Sequence, residues 1–238
     1  MRVFVLGHKG MLGHMVVKYL KSQRIDIATT SKRFPYLDTK MFTDDIDYII
    51  NCIGAIPQRT TDFKINYELP EWLNKLDIKI IHPGTDCEMD IDEYGQSKKK
   101  ASDYIKMYSS NTKILKTSII GPELNSCASL MEWFLSQDNE VQGYTKAMWN
   151  GNTTLEWAKQ CLLLMNNWNR YDKETIIATR SISKYEMLLI LKNLFNKEIS
   201  IQPIGKGKDK CLSGDIDTGD LTDQIIELKQ FYYNNFDN

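Results

Sequence analysis

The chain has 238 residues, 42% hydrophobic and 26% charged, with a formal net charge of -1. That composition fits one globular domain, or one with a small lobe, and the near-neutral charge argues against a nucleic-acid partner held through phosphates. No apolar run is long enough to cross a membrane. Cys52, Cys87, Cys127, Cys161 and Cys211 are scattered, which predicts free thiols in a reducing compartment. A core strand at the N-terminus leaves no room for a cleaved signal, so a cytoplasmic location is expected. His8, His14 and His82 have no metal-ligand spacing with the cysteines, and no metal site is expected.

Residues 3–6 form an apolar run with β-branched and aromatic members, and predict a buried strand. Gly7, Gly10 and Gly13 follow at three-residue spacing, and residues 14–20 suit a helix. A strand, a glycine turn and a helix make a dinucleotide-binding element. In it Gly7 takes the tight turn, Gly10 admits the pyrophosphate, Gly13 packs the helix close, and the helix N-terminus offers its N–H groups. Residues 25–30 predict a second strand. Residues after that strand meet the adenosine ribose in such a fold. Ser31, Lys32 and Arg33 stand there, a hydroxyl and two cations that suit a 2′-phosphate, so NADP is preferred over NAD.

Residues 47–53 predict a core strand ending at Gly54, residues 68–76 a helix with Pro70 in its first turn, and residues 78–81 a further strand. This alternation argues for a parallel sheet covered on both faces. Thr85 and Asp86 follow that strand, and a helix over residues 97–107 comes next. Tyr94 and Lys98 are four apart and share a helix face. A lysine beside a phenol lowers its pKa and suits it to proton transfer, with Thr85 holding the same substrate oxygen. The plain alternative is a solvated helix surface.

Beyond this point strands are expected at 114–120, 141–144, 147–149, 175–179 and 199–203. Helices are expected at 130–135, from Thr153 or Thr154 to 168, from the Ser183–Glu186 capping box to 195, and over 223–231. Residues 205–207 and 213–220 suggest exposed loops, and the tail from 234 onward looks frayed. Lys206, Lys208 and Lys210 suit either a solvated cluster or a substrate diphosphate.

These motifs, in this order, resemble the extended short-chain dehydrogenase/reductase superfamily, and within it the dTDP-4-dehydrorhamnose reductases. Gly7-x-x-Gly10-Met11-Leu12-Gly13 matches the cofactor motif, and Lys9 within it joins the implied cofactor contacts. Asn51-Cys52-Ile53-Gly54 matches the strand end beside the nicotinamide half, and Asp38 falls where the family has an acid near adenine. Asn66 matches an asparagine that orders the active-site helix. Gly84-Thr85-Asp86 resembles the stretch carrying the catalytic hydroxyl, and Tyr94-x-x-x-Lys98 the catalytic pair. Residues 116–121 resemble the strand leading into the substrate lobe. The resemblance implies catalysis by Thr85, Tyr94 and Lys98, cofactor contacts including Lys98, and substrate contacts from Thr85, Asp86, Ser118 and Trp149.

The resemblance implies an α/β fold: a Rossmann-like doubly wound parallel sheet with a small, trimmed C-terminal substrate-binding lobe. Residues 1–120 are expected to form the NAD(P)-binding domain with the catalytic trio. Residues 121–238 are expected to form the lobe, with about 152–180 returning to the first domain. Thr85 and Tyr94 are only nine residues apart, shorter than the family pattern. Cys87 stands where the related dehydratases have an acid, with Glu88 the nearest replacement. The implied reaction is NADPH-dependent reduction of the 4-keto group of a nucleoside-diphosphate-4-keto-6-deoxy sugar, NAD being the second cofactor choice. A nucleotide-sugar epimerase and a non-catalytic NADP-binding regulatory subunit are the alternatives, and a homodimer is left open.

Overall fold

The computed structural model describes residues 1–233; the tail expected to fray lies outside them. The first half runs β1 (Arg2–Leu6), α1 (Met11–Ser22), β2 (Asp26–Thr29), β3 (Tyr48–Asn51), α2 (Ile65–Leu73), β4 (Lys79–Gly84), α3 (Glu93–Tyr108) and β5 (Thr112–Lys116). The second half continues β6 (Ile119–Ile120), α4 (Leu130–Leu135), β7 (Glu140–Tyr144), β8 (Met148–Trp149), β9 (Asn152–Thr153) and α5 (Thr154–Asn166). It closes with β10 (Glu174–Ala178), β11 (Ile182–Ser183), α6 (Lys184–Leu194), β12 (Ser200–Ile204), β13 (Ile216–Asp217) and α7 (Leu221–Tyr232).

Seven strands form one sheet in the order β13-β10-β5-β4-β3-β1-β2, and every pairing in it is parallel. Side chains alternate across a strand, so β1 feeds two cores. Val3 and Val5 pack with Val16 and Leu20 of α1 and Trp157 and Cys161 of α5. Phe4 and Leu6 pack on the other face with Leu69 and Leu73 of α2. A third core joins α4, α6 and α7 through Phe134, Leu188 and Leu228. This is the doubly wound α/β arrangement the sequence implies.

The chain order reverses at β1, with β2 on one side and β3 on the other. Such a switch point opens a crevice at the carboxyl ends of the strands. Gly7 leaves β1 there with φ +76°. A Cβ on Gly7 would stand 2.7 Å from the Cys52 carbonyl oxygen, so the turn requires glycine twice over.

Four local expectations are corrected. Helix α2 begins at Ile65, which puts Pro70 inside it rather than in its first turn; the apolar spacing marks only the buried part of the helix. The strand expected over 114–120 splits into β5 and β6. At the break the Asn152 side chain donates to Thr117 Oγ1 at 2.9 Å, and the Asn152 N–H bonds the Ser118 carbonyl at 2.8 Å. Helix α3 starts at Glu93, because Asp92 caps it by accepting from the Gly95 N–H at 2.7 Å. The polar stretch 213–220 holds β13, the edge strand of the sheet; two paired residues are too few to show an apolar pattern.

Candidate active site

A cavity of about 540 Å³ opens at the switch point. Gly10, Met11 and Leu12 line its α1 side, Cys52, Ile53 and Gly54 the end of β3, and Thr85, Asp86, Tyr94, Lys98 and Ser118 the remaining wall. The sequence-implied catalytic trio, separated by up to 13 positions, therefore meets the glycine turn in one space.

Helix α3 fixes two of the trio. Tyr94 and Lys98 sit one turn apart on it, and Asn66 secures its start. The Asn66 amide donates to Ser97 Oγ at 2.9 Å and to the Ala55 carbonyl at 3.1 Å, and accepts from the Ala55 N–H at 2.7 Å. One side chain thus ties α2, α3 and the end of β3 together. The turn carrying Thr85 is held by Glu88. Its Oε1 accepts from the Thr85 N–H at 3.1 Å and from Ser102 Oγ at 2.9 Å, and its Oε2 takes Lys116 Nζ at 2.7 Å. Thr85 and Glu88 form a capping box for the short 3-10 turn Asp86–Met89. Glu88 is buried and fully engaged, so it is a scaffold carboxylate and not a spare general acid.

Lys98 is buried, and its Nζ donates to the Pro83 carbonyl at 3.2 Å. Burial lowers its pKa, against the opposing pull of Glu88 and Cys87. Tyr94 stacks edge-on to Phe63 with ring centroids 5.6 Å apart. Burial first, then Cys87, Asp86, Asp92 and Glu88, raise the Tyr94 pKa well above its ordinary value. The expectation that Lys98 lowers it is corrected: the ring is desolvated and ringed by acids. Burial, aided by Asp86, pushes the Cys87 thiol up to about 11. Behind Lys98, His82 is buried, and burial with the nearby Lys98 holds its pKa well below the usual value. Asn51 Nδ2 and His82 Nδ1 lie 3.2 Å apart.

The remaining implied residues fall outside the cavity lining. Gly7 and Gly13 form the turn behind it: a Cβ on Gly13 would stand 2.2 Å from the Gly7 carbonyl oxygen. Lys9, Ser31, Lys32, Arg33 and Asp38 are exposed. Asp38 caps a short 3-10 turn, accepting from the Lys40 N–H at 2.9 Å. Trp149 is the correction among the substrate residues. It is 5% exposed in the lobe core, and a Cβ on Gly151 would stand 2.3 Å from its ring. Its bulk fills the lobe, not the cavity.

The α1 end of the cavity suits an anion. The first turn of α1 has no acidic residue and no side-chain cap, leaving its N–H groups to an anion. A Cβ on Gly10 would touch only the Gly7 carbonyl, at 3.4 Å, so the space in front of it is open. Among the described residues, no group of three or more His, Cys, Asp or Glu side chains is placed to hold a metal, and no helix is long and apolar enough to cross a membrane.

Three cavity features carry no sequence motif: Arg59, Glu123 and the Lys210–Asp90 ion pair. Lys210 reaches the turn beside Thr85 from 120 positions away, so of the three loop lysines it alone joins the site. Only the fold brings these groups together, and no local spacing announces them.

No family model matches the chain, and no curated protein matches its sequence. Solved structures match its fold throughout. A dTDP-4-dehydrorhamnose reductase of Clostridium acetobutylicum is 17% identical, with 96% of this chain and 98% of that one covered and a TM-score of 0.70. A dTDP-4-dehydrorhamnose reductase of Bacillus anthracis, in complex with NADP, is 14% identical, with 98% and 99% covered and a TM-score of 0.73. A UDP-glucose 4-epimerase of Thermotoga maritima, with UDP-glucose, is 15% identical, with both chains fully covered (100%) and a TM-score of 0.71. The chain therefore shares the fold of these nucleotide-sugar enzymes, dTDP-4-dehydrorhamnose reductases among them.

Proposed function

We propose that this protein is a nucleotide-sugar reductase, transferring hydride from NADPH to the 4-keto carbon of a nucleoside-diphosphate-4-keto-6-deoxy sugar. The carrying observation is the convergence of Thr85, Tyr94 and Lys98 on the cavity that also holds Gly10–Leu12 and Ile53–Gly54. The nicotinamide, when bound, supplies the hydride. Tyr94 gives its phenolic proton to the carbonyl oxygen as that oxygen gains charge. Thr85 orients the same oxygen. Lys98 holds the nicotinamide ribose and places a positive charge beside the reacting oxygen. Asp86 and Ser118 line the sugar side. Gly7, Gly10, Gly13, Met11, Leu12, Lys9, Cys52, Ile53 and Gly54 frame the dinucleotide, with Ser31, Lys32, Arg33 and Asp38 at its adenosine end.

Burial keeps Tyr94 protonated near neutral pH, the form a donor needs. Dehydration needs a further acid, and Glu88 is committed to Thr85, Ser102 and Lys116. Purified protein should oxidise NADPH only when such a 4-keto sugar is added. Absence of turnover with several of these sugars would sink the proposal. The likeness to a UDP-glucose 4-epimerase supports a second reading. An epimerase would alter the sugar without net NADPH consumption, and the same assay separates the two.

A further inference from the structure

Arg59 lies in the loop between β3 and α2 and lines the cavity. Its Nη2 donates to Glu123 Oε1 at 2.9 Å and to Ser126 Oγ at 2.6 Å. Both partners belong to the loop between β6 and α4, so the guanidinium bridges the nucleotide side and the lobe side of the cleft. The two partners are not alike in burial: the Arg59 side chain is 51% exposed, the Glu123 side chain 4%. Glu123 is also held from behind, its Oε2 accepting from the N–H groups of Ala128 at 2.7 Å and Ser129 at 3.0 Å. A buried, backbone-held carboxylate therefore aims a half-exposed guanidinium. The hydrogen bonds above use Nη2 and leave Nη1 and Nε for a ligand.

The position of this pair relates it to the glycine turn. His14 Nδ1 donates to the Gly10 carbonyl at 2.8 Å, one turn into α1. Glu123 is near enough to favour the charged form of His14, although burial keeps the ring's pKa below its ordinary value. Gly10, Met11 and Leu12 share the cavity wall with Arg59 and Glu123. An unpaired Glu123 there would repel a phosphate, and Arg59 offsets that charge. The other cavity cations are occupied elsewhere: Lys98 on the Pro83 carbonyl and Lys210 on Asp90.

We propose that Arg59 is a diphosphate-binding residue, held across the cleft by Glu123 and Ser126 with its free N–H edge toward a pyrophosphate lying on the N-terminus of α1. This rests on the dinucleotide-dependent function proposed above. A dinucleotide and a nucleotide sugar both carry this group, and the two sources are separable by binding measurements.

Calorimetric Kd values are to be compared for the parent and Arg59→Ala. The probes are NADPH, ADP-ribose, adenosine 2′,5′-bisphosphate, and dTDP or UDP added to the NADPH complex. Arg59→Ala should raise the Kd of NADPH and ADP-ribose about 10-fold, the worth of one charge-assisted contact, and leave adenosine 2′,5′-bisphosphate within about two-fold. Arg59→Lys should recover part of the loss. The double variant Arg59→Ala with Glu123→Gln, which also lacks the unpaired carboxylate that would repel phosphates, should keep most of that loss. A loss confined to dTDP or UDP would overturn the placement on α1 and move Arg59 to the sugar nucleotide. Unchanged Kd for every pyrophosphate probe in Arg59→Ala, with the parent's Tm, would overturn the inference while leaving the proposed function standing. A parent protein that binds none of the probes would overturn both.

Discussion

The hydroxyl of Thr85 donates to the carboxylate of Asp86 at 3.0 Å while accepting from the Cys87 N–H at 3.3 Å. A hydroxyl has one proton, so Thr85 gives it either to Asp86 or to a substrate oxygen. The Asp86 contact aims the hydroxyl and is exchanged when the carbonyl arrives. We predict that Thr85→Val lowers kcat about 100-fold by deleting one oriented donor, and costs about 1 kcal/mol of stability through the lost cap. Thr85→Ser should keep both. Steady-state kcat and urea unfolding of the two variants check this. A Ser variant as slow as the Val variant would remove the donor role.

Tyr94→Phe removes the phenolic proton and keeps the ring against Phe63. We predict a kcat loss of roughly 10²–10⁴-fold with NADPH Kd unchanged, since the ribose contact belongs to Lys98. Burial raises the Tyr94 pKa above 10.0. The stability tied to the neutral phenol is therefore fully present below the unfolded value and lost as pH rises through the higher folded one. In the free enzyme kcat/KM for reduction should show no Tyr94-dependent alkaline fall below about pH 10. A loss centred near neutrality and absent from Tyr94→Phe would contradict the donor assignment.

The glycine turn, the Tyr94–Lys98 pair and the capping box at Ser183 are legible in the sequence because each is local: its physics lies within a few residues. The bond from Asn66 to Ser97 is legible only through the family resemblance. The Arg59–Glu123 bridge spans 64 positions and the Lys210–Asp90 pair 120, and polar loops carry no period that would pair them. Trp149 shows the opposite failure. An aromatic in a lobe suits a binding pocket and a core equally well, and only the ring's burial with Met187 and Leu188 decides for the core. A four-residue spacing shows the lysine near Tyr94 but not the burial or the three acids around the ring that raise its pKa.

Lys98 is a buried charge with one protein acceptor, the Pro83 carbonyl. Burial lowers its pKa below 10.5, so the unfolded chain binds the proton more tightly than the folded protein does. The group's penalty is full at low pH and fades as pH rises through the depressed folded value toward the unfolded one. We predict that Lys98→Met raises the Tm of the ligand-free protein by a few degrees near pH 7, with the gain shrinking toward about pH 10. The same variant should lose NADPH affinity and turnover together. Thermal unfolding across pH, read beside NADPH titration, tests both halves. A Tm that falls on substitution would assign Lys98 a structural role.

Arg33 follows β2 and is exposed beside Ser31 and Lys32. Asp38, the acid implied near adenine, already caps the turn at Thr39–Met41 through the Lys40 N–H. An acid committed to a cap is a poorer acceptor for a free 2′-hydroxyl, whereas two exposed cations and a hydroxyl suit a 2′-phosphate. Arg33→Ala should therefore raise the Kd of NADPH by about 10-fold and that of NADH by less than two-fold. Because Arg33 is exposed, Tm should stay within about a degree of the parent. Raised salt should weaken NADPH more than NADH in the parent, and this difference should shrink in the variant, since the 2′-phosphate contact is solvent-screened. Equal losses for the two cofactors would place the 2′-phosphate elsewhere and put Lys32 and Lys9 under the same test. Retained NADPH preference in all three single variants would move the discrimination off these three cations.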